Sequence, residues 1–406
     1  VLCSVLLVAI PAIAAEQNTI TTASEDDFVL GVYGNANEDD TIDMRDLTYV
    51  KLIFFGKKPE TELADAKYDG KINPLDFIQI KLIIVGKEKE LTFIDGADRT
   101  VTVQKPIKRI VAFRPYILET MRSLKLEKDR IVGVDKKGNQ KWTSLPFPEF
   151  SECQDVGSLF SPNYESVLEL HPDAVFIVAT FNPSKMEEVQ NKLESIDPNI
   201  KVIRFDCFKP SSYIDDVRKM GYILGKKEEA DKFVEFYGGW LDTIKEGLKD
   251  IPLDERPKVY FGSTSNLYKT GGKGSGYHEK VEMAGGNNIF SDLSGYPKVD
   301  PEAVMKRNPE IIVKAEHISG CGYATNDVSE MSIVRDNILG RPELANVSAV
   351  KNERVYIICN EILGGAQHFI GIAYMAKWFH PELFEDLGPN AIHTEAFGKF
   401  QSMTCR

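Results

Sequence analysis

Residues 163–177 read NYESVLELHPDAVFI, and residues 300–313 read DPEAVMKRNPEIIV. The two stretches align so that Glu165 matches Glu302, and a proline follows each glutamate seven residues later. The pattern predicts a helix with a carboxylate in its first turn, where the helix macrodipole favours negative charge. The helix ends before the proline, and the apolar run that follows predicts a buried strand. One such unit in each half of the chain indicates two similar lobes.

Strand and helix patterns alternate on both sides of these units, which predicts parallel sheets with right-handed crossovers. Between the halves, residues 225–251 carry apolar side chains at the helical period and predict one long helix. We therefore predict an α/β fold with two Rossmann-like lobes, residues 91–224 and 252–406, joined by that helix. The predicted strands read RIVAF, RIVGV, DAVFIVA and KVIRFD in the first lobe, and KVYFGS, IIVKA and RVYIIC in the second.

The composition is that of a folded, acidic protein. The chain has 49 lysines and arginines against 61 aspartates and glutamates, a formal net charge of −12. This charge argues against a nucleic-acid partner. Residues 1–15 are uncharged, almost wholly apolar and end in small residues, which predicts a partial signal peptide, with a linker at 16–29. We therefore expect a secreted, extracytoplasmic protein.

A second repeat precedes the lobes. Residues 35–57 and 65–87 each place oxygen-bearing side chains along a loop that is followed by an amphipathic helix. Ca²⁺ takes 6–8 oxygen ligands, and a tight loop closed by a helix can supply them. The sixth loop position needs a left-handed backbone, which we expect at Gly70 and at Asp40. The alternative is a pair of acidic helix N-termini without metal.

This repeat resembles a dockerin module, a small all-α unit of paired loops and helices, over about residues 30–88. The resemblance implies one or two calcium ions and a cohesin-like partner that would hold the protein at the cell surface. Lys67 replaces a ligand in the second loop, so we expect that site to be weaker. The implied ligands are Asn35, Asn37, Asp39, Thr41 (carbonyl), Asp43 and Asp46, then Asp65, Asp69, Lys71 (carbonyl), Asn73 and Asp76. The implied partner-facing residues are Met44, Arg45, Pro74 and Leu75.

The rest of the chain resembles the solute-binding proteins of iron-complex (siderophore and haem) and vitamin B12 ABC importers. The resemblance rests on IKRIVAF, the two stretches quoted first, EMAGGNNIFSDL and RPELANVSAVKNERVYII, in the family's order over residues 91–400. It implies a class III periplasmic-binding-protein fold and the capture of a chelated metal compound for an importer permease. It also implies that Glu165 and Glu302 dock to the permease. The alternative is that both glutamates only stabilise helix starts.

Loops at the carboxyl ends of parallel strands form the expected ligand cleft. Aromatic rings with a few cations suit a large, flat, partly anionic chelate: an iron–siderophore, haem or corrinoid. Arg114 is the strongest candidate, with a surface ion pair as its alternative, and lobe packing is the alternative for the aromatic residues. His171 is the first lobe's only histidine and lies outside this cleft, so we expect no bare transition-metal site there. The candidate ligand-binding residues are Arg114, Tyr116, Trp142, Phe160, Ser263, Tyr268, Lys269, His317, Tyr323 and His368.

Nothing in the sequence predicts an enzyme, because no nucleophile with a base and no paired catalytic carboxylates are visible. The competing interpretation is a calcium-dependent cell-surface scaffold component with no transport ligand. The cysteine positions suggest one disulfide in each lobe, Cys153–Cys207 and Cys321–Cys359, as is common in exported proteins. The sequence does not prove either pair.

Overall fold

The computed structural model describes residues 28–136, 148–317 and 327–401. The predicted signal peptide, Trp142, Cys321 and Tyr323 lie outside the described residues. Within those ranges, no helix is long and apolar enough to cross a membrane.

Two short helices with matching starts build the N-terminal module: α1 (Met44–Phe54) and α2 (Pro74–Ile84). Each begins with a capping box, formed by Asp43 with Asp46 in α1 and by Asn73 with Asp76 in α2. The repeat read from the sequence is therefore also a repeat of local structure. The apolar faces of both helices join the main hydrophobic core through Leu47, Val50, Ile53, Ile80 and Ile83.

The module continues into the first lobe through an antiparallel hairpin, β1 (Glu90–Ile94) and β2 (Thr100–Gln104). Val32 of the module forms a β-bridge with Phe93, and the Tyr33 amide donates to the Thr92 carbonyl at 2.9 Å. A segment of the module is thus paired with β1. The module and the first lobe share one backbone hydrogen-bond network.

The first lobe contains a five-stranded parallel sheet in the order β5–β4–β3–β8–β9. Its strands are rich in valine and isoleucine that are buried on both faces, as expected for a sheet covered by helices on each side. Four of the strands were predicted, and the edge strand β5 was missed because it has only two residues. The strands are β3 (Ile110–Ala112), β4 (Ile131–Val134), β5 (Gln154–Asp155), β8 (Ala174–Ile177) and β9 (Lys201–Arg204), with a small hairpin of β6 (Gly157–Ser158) and β7 (Ser161–Pro162). The helices are α3 (Pro115–Ser123), α4 (Tyr164–Glu169), α5 (Pro183–Ile196) and α6 (Pro210–Leu224).

A single helix, α7 (Lys227–Leu248), leads from the first lobe to the second, where the long helix was predicted. Gly225 has φ 71° and ends α6 in the left-handed conformation, which glycine adopts without a steric penalty. The helix buries Phe233, Tyr237 and Ile244 along one face, and its Gly238-Gly239 pair stays helical. The connection between the lobes is therefore one stiff element. The exact domain boundaries remain predictions.

The second lobe contains a four-stranded parallel sheet in the order β11–β10–β12–β13. Three of these strands were predicted, and the two-residue edge strand was not. The strands are β10 (Lys258–Gly262), β11 (Asn287–Asn288), β12 (Ile311–Glu316) and β13 (Val355–Cys359). The helices are α8 (Gly276–Met283), α9 (Pro301–Arg307), α10 (Ser329–Leu339), α11 (Ser348–Lys351), α12 (Asn360–Leu363), α13 (His368–Phe379) and α14 (Pro389–Ala396).

The first loop of the module rests on α6. The Tyr222 hydroxyl accepts the Ile42 amide at 2.9 Å and lies 3.2 Å from the Thr41 hydroxyl. Arg218 pairs with the Asp40 carboxylate at 2.7 Å. A helix of the first lobe therefore holds the loop that was predicted to bind calcium.

The suggested Cys153–Cys207 disulfide is wrong, because both cysteines are free. Cys153 precedes β5 and Cys207 follows β9, and these strands form opposite edges of the five-stranded sheet. Four strand spacings of about 4.8 Å separate such edges, far beyond the reach of a disulfide. Cys359 is disulfide-bonded. Its suggested partner, Cys321, lies outside the described residues.

Candidate functional site

Arg114 lies between the end of β3 and the start of α3, at the carboxyl edge of the first sheet. Its side chain is only 8% exposed, and its guanidinium lies 5.3 Å from the centre of the Phe160 ring. The Nε atom is buried without a hydrogen-bond partner. Among the described residues, no hydrogen bond or ion pair compensates the guanidinium charge. Arg114 is thus a buried cation that can accept an anionic partner.

Each lobe contains aromatic rings that pack on one another. In the first lobe, Tyr116 packs edge-to-face on Phe208 at 5.3 Å, and Phe160 contacts Phe181 at 5.9 Å. Burial raises the pKa of Tyr116, and the Arg114 charge opposes that rise. In the second lobe, the rings of Tyr277 and Tyr296 are 5.9 Å apart, and Phe261 stacks on Tyr277 at 4.5 Å. These rings offer apolar surface to a flat ligand.

Buried carboxylates fix the rim of the first lobe. Asp206 accepts the amides of Ala179 and Thr180 at 3.0 and 2.8 Å, which ties the end of β8 to the end of β9. Asp216 accepts the amides of Asp206 and Cys207 at 3.1 and 2.9 Å. The segment that presents Phe208 is therefore held in one conformation.

Several predicted residues of the second lobe have their polar groups engaged within the protein. The Tyr268 hydroxyl donates to Glu343 at 2.8 Å, and the buried Ser263 hydroxyl lies 3.3 Å from that of Ser265. His317 Nδ1 lies 3.4 Å from a Glu361 carboxylate oxygen. The backbone of Lys269 forms an antiparallel β-bridge with that of Lys298.

His368 is fully buried in the core rather than facing the cleft. Its Nε2 lies 2.7 Å from the Tyr237 hydroxyl of the connecting helix, and its Nδ1 lies 2.8 Å from the Gly365 carbonyl. Burial and the charge of Lys280 lower the pKa of His368 well below its usual value. Both ring nitrogens are occupied, so this histidine has no free atom for a ligand.

Glu165 and Glu302 occupy equivalent places in the two lobes. Each is exposed and lies in the first turn of its helix, α4 or α9. The N-cap Asn163 accepts the Ser166 amide at 3.2 Å, which fixes the start of α4. Neither glutamate is needed to fill a core, so both are available to a partner.

The predicted ligands of the first calcium loop lie close together. Asp46 is fully buried and accepts the amides of Asn37 and Asp43 at 3.2 and 2.8 Å. Asp39 accepts the Thr41 amide at 3.0 Å. Burial raises the pKa of Asp46 to about 6. The loop amides therefore point at the Asp39 and Asp46 carboxylates.

The second loop repeats this arrangement around Asp76, which accepts the amides of Lys67 and Asn73 at 2.9 and 2.7 Å. Asp65 accepts the amides of Asp69 and Gly70 at 3.1 and 2.7 Å. The Lys67 ammonium lies 3.7 Å from a Glu90 carboxylate oxygen of β1. The cation at the substituted ligand position therefore pairs with the hairpin.

The backbone partly corrects the predicted turns. Gly70 is left-handed, as predicted, with φ 82°, but Asp40 does not have a positive φ. Instead Glu38 and Tyr68, both at the fourth loop position, have φ 57° and 52°. The two loops therefore share a bend two residues earlier than the one expected at Asp40.

Arg45 supplies positive charge to the first loop in this structure. Its guanidinium lies 3.0 Å from the Asp39 carboxylate and 2.9 Å from that of Asp43. Within the described ranges, no three His, Cys, Asp or Glu side chains form a group that could hold a metal ion. A cation would therefore need the amide and carbonyl oxygens of the loop as well as its carboxylates.

Four aromatic residues that lie with or near the candidate residues were not predicted: Phe181, Phe208, Tyr277 and Tyr296. Phe208 lies four residues beyond β9. Arg114 was identified because it lies in a loop at the carboxyl end of a strand, and the same criterion could have identified Phe208. Tyr296 follows the unpredicted strand β11, and Tyr277 lies on a helix rather than in a loop.

Two parallel α/β lobes joined by one helix, with Phe208 of the first lobe close to Gly276 of the second, have the architecture of a bilobal ligand-binding protein. The chain belongs to the periplasmic binding protein family, whose profile matches residues 110–361.

Three relatives illustrate the range of this similarity. An uncharacterised ABC transporter substrate-binding lipoprotein, YvrC of Bacillus subtilis, is 25% identical over 303 residues, covering 73% of this chain and 87% of the relative. The molybdate-binding protein MolA of Haemophilus influenzae is 24% identical over 336 residues, covering 75% and 89%. The vitamin B12-binding protein of Salmonella paratyphi A is 26% identical over 184 residues, covering 45% and 66%. The solved structure of MolA bound to molybdate shares the fold, with a TM-score of 0.63 and 22% identity, and covers 78% of this chain and 99% of MolA.

Proposed function

We propose that this protein is an extracytoplasmic solute-binding protein that captures a chelated metal compound for an ABC importer. The solute would be an iron–siderophore, haem or corrinoid. The observation that carries the proposal is the buried, uncompensated Arg114 beside the Phe160 ring of the first lobe. Such a surface can stack on a rigid chelate and bind its anionic edge, but it lacks the converging donors that a bare ion requires.

Glu165 and Glu302 are proposed to dock each lobe to the importer permease. Support comes from their matching positions and their exposure at helix starts. An exposed carboxylate pairs readily with an arginine on a partner surface. Because the two glutamates lie on different lobes, a permease that contacts both would sense the spacing of the lobes.

The N-terminal module is proposed to bind one or two calcium ions and to tether the protein to a cohesin-like surface protein. Its carboxylate, amide and carbonyl oxygens are ligands that Ca²⁺ prefers, and the ion would neutralise the buried Asp46 and Asp76. Met44 and Arg45 of the first helix and the equivalent Pro74 and Leu75 of the second are exposed, which leaves this face open to a partner.

The ligand proposal is tested by isothermal titration of purified protein with an iron–siderophore panel, haem, cyanocobalamin and inorganic molybdate. We expect an organic chelate to bind, and Arg114→Ala to weaken an anionic chelate by about 1.5–3 kcal/mol through loss of a charge-assisted hydrogen bond. Lys108→Ala, which removes an exposed cation at the other end of β3, is the matched control. Tight binding of molybdate, with no organic chelate bound, would contradict the proposal.

The calcium proposal is tested on the full chain, because the module is paired with the first lobe. Calcium should raise the midpoint of thermal unfolding, and a chelator should reverse the effect, since metal binding to the native loop is coupled to folding. Asp46→Ala should reduce calcium affinity more than Asp76→Ala, because the second loop carries Lys67. No effect of calcium on the midpoint would reject the site.

A further inference from the structure

A second buried basic side chain lies on a helix of the second lobe that contacts the first lobe. Lys280, on α8, is only 1% exposed. A helical lysine directs its side chain towards the start of its own helix. The Lys280 ammonium accordingly lies 3.7 Å from the position that a Cβ would take on Gly276, and Phe208 of the first lobe approaches the same position at 3.7 Å. The ammonium therefore lies near Phe208 and Tyr277, and its charge also reaches the buried His368.

No described residue pairs directly with this charge. Among the described residues, Lys280 makes no hydrogen bond or ion pair, and its closest ring contact is Tyr277 at 6.0 Å. The adjacent Glu279 instead accepts the Ser211 amide at 3.1 Å and lies 3.8 Å from Lys209, both in the first lobe. Burial lowers the pKa of Lys280 to about 7, and the charge of Glu279 opposes this fall only in part.

A buried lysine without an anionic partner destabilises the folded protein when no solute is bound. An ammonium group removed from water without a partner costs several kcal/mol, and an apolar side chain of similar volume would avoid this cost. Arg114 presents the same feature on the opposite lobe. Two buried basic side chains without a direct anionic partner, Arg114 beside Phe160 and Lys280 beside Tyr277, indicate that the missing anions belong to the solute.

We propose that Lys280 is an anion-binding residue of the cleft, and that the solute is a chelate with at least two anionic groups, one bound from each lobe. This rests on the proposed function and narrows its solutes to multiply anionic chelates. Bound solute would thereby link the lobes through its own charges.

The test compares Lys280→Met with the wild-type full chain. Lys273→Met, which removes an exposed cation of the same lobe, is the control, and Lys280→Gln is a second variant in case the first folds poorly. Without solute, Lys280→Met should raise the thermal midpoint, whereas Lys273→Met should leave it unchanged. A lower midpoint for both Lys280 variants would show a structural role and overturn the proposal.

The binding arm uses a multiply anionic ferric catecholate and an uncharged ferric hydroxamate as probes. The catecholate should bind more tightly, and Lys280→Met should weaken it about 10- to 150-fold while leaving any hydroxamate binding unchanged. Chelate binding that is insensitive to Lys280, or that favours the uncharged complex, would overturn this proposal alone. Failure of every chelate, in this pair and in the wider panel, would overturn the proposed function as well.

Discussion

Replacing Tyr222 by phenylalanine tests whether the module is part of the first lobe. The Tyr222 hydroxyl accepts the Ile42 amide at 2.9 Å and contacts the Thr41 hydroxyl at 3.2 Å. The ring is 6% exposed and Ile42 is 2% exposed, so water does not readily replace the lost oxygen. Phenylalanine keeps the packing of the ring and removes only these polar contacts.

The expected effect follows from the buried amide. Leaving a buried donor without a partner costs about 1–3 kcal/mol. If the loop opens locally, this cost increases the open population by a factor of about 5 to 150. Hydrogen–deuterium exchange with mass spectrometry should therefore show faster exchange in the amides of residues 41–46, with little change in the second lobe.

Tyr260→Phe is the matched control, since it removes a buried hydroxyl that donates to the Leu267 carbonyl at 2.6 Å within the second lobe. It should accelerate exchange near residue 267 and leave residues 41–46 unchanged. Equal exchange of those amides in Tyr222→Phe and wild type would refute the view that α6 holds the loop.

Charge reversal of Glu165 or Glu302 should leave solute affinity unchanged and abolish stimulation of the importer's ATPase in reconstituted vesicles; loss of affinity in both variants would reject the docking role. The stability of the full chain should also depend on pH through Glu119. Burial raises the pKa of Glu119 from 4.5 to about 8, so the native state holds a proton that the unfolded chain releases between these values. Stability from this group therefore falls as pH rises through that window. Glu119→Gln, which keeps an acceptor for the Ala366 amide at 2.9 Å, should flatten the fall in urea titrations at pH 5 to 8.5, and an unchanged pH profile would contradict the assignment.

The lobes could be predicted because their parallel strands are runs of apolar residues that local patterns reveal. The edge strands β5 and β11 could not, since two residues carry no periodicity. Arg114 was found because it directly follows a predicted strand. His368 was misplaced because the sequence does not show that its helix begins inside the core.

The least predictable features depend on contacts between distant parts of the chain. Tyr222 meets Ile42 across 180 positions, and no local pattern marks either residue. Lys280 looks like an ordinary polar residue of a short helix, and only its burial against the other lobe distinguishes it. Sequence patterns show which element a residue occupies, whereas its partners depend on how the elements pack.

The pairing of the module with β1 limits how the protein can be shortened. A fragment beginning at residue 91 would keep both parallel sheets and all of β1 except Glu90, but it would lose Val32, which forms a β-bridge with the fully buried Phe93. Its hairpin would present an uncovered strand edge, which favours pairing between molecules and aggregation. We therefore expect the solubility of the two lobes to depend on residues 31–33, which the predicted boundaries leave outside both lobes.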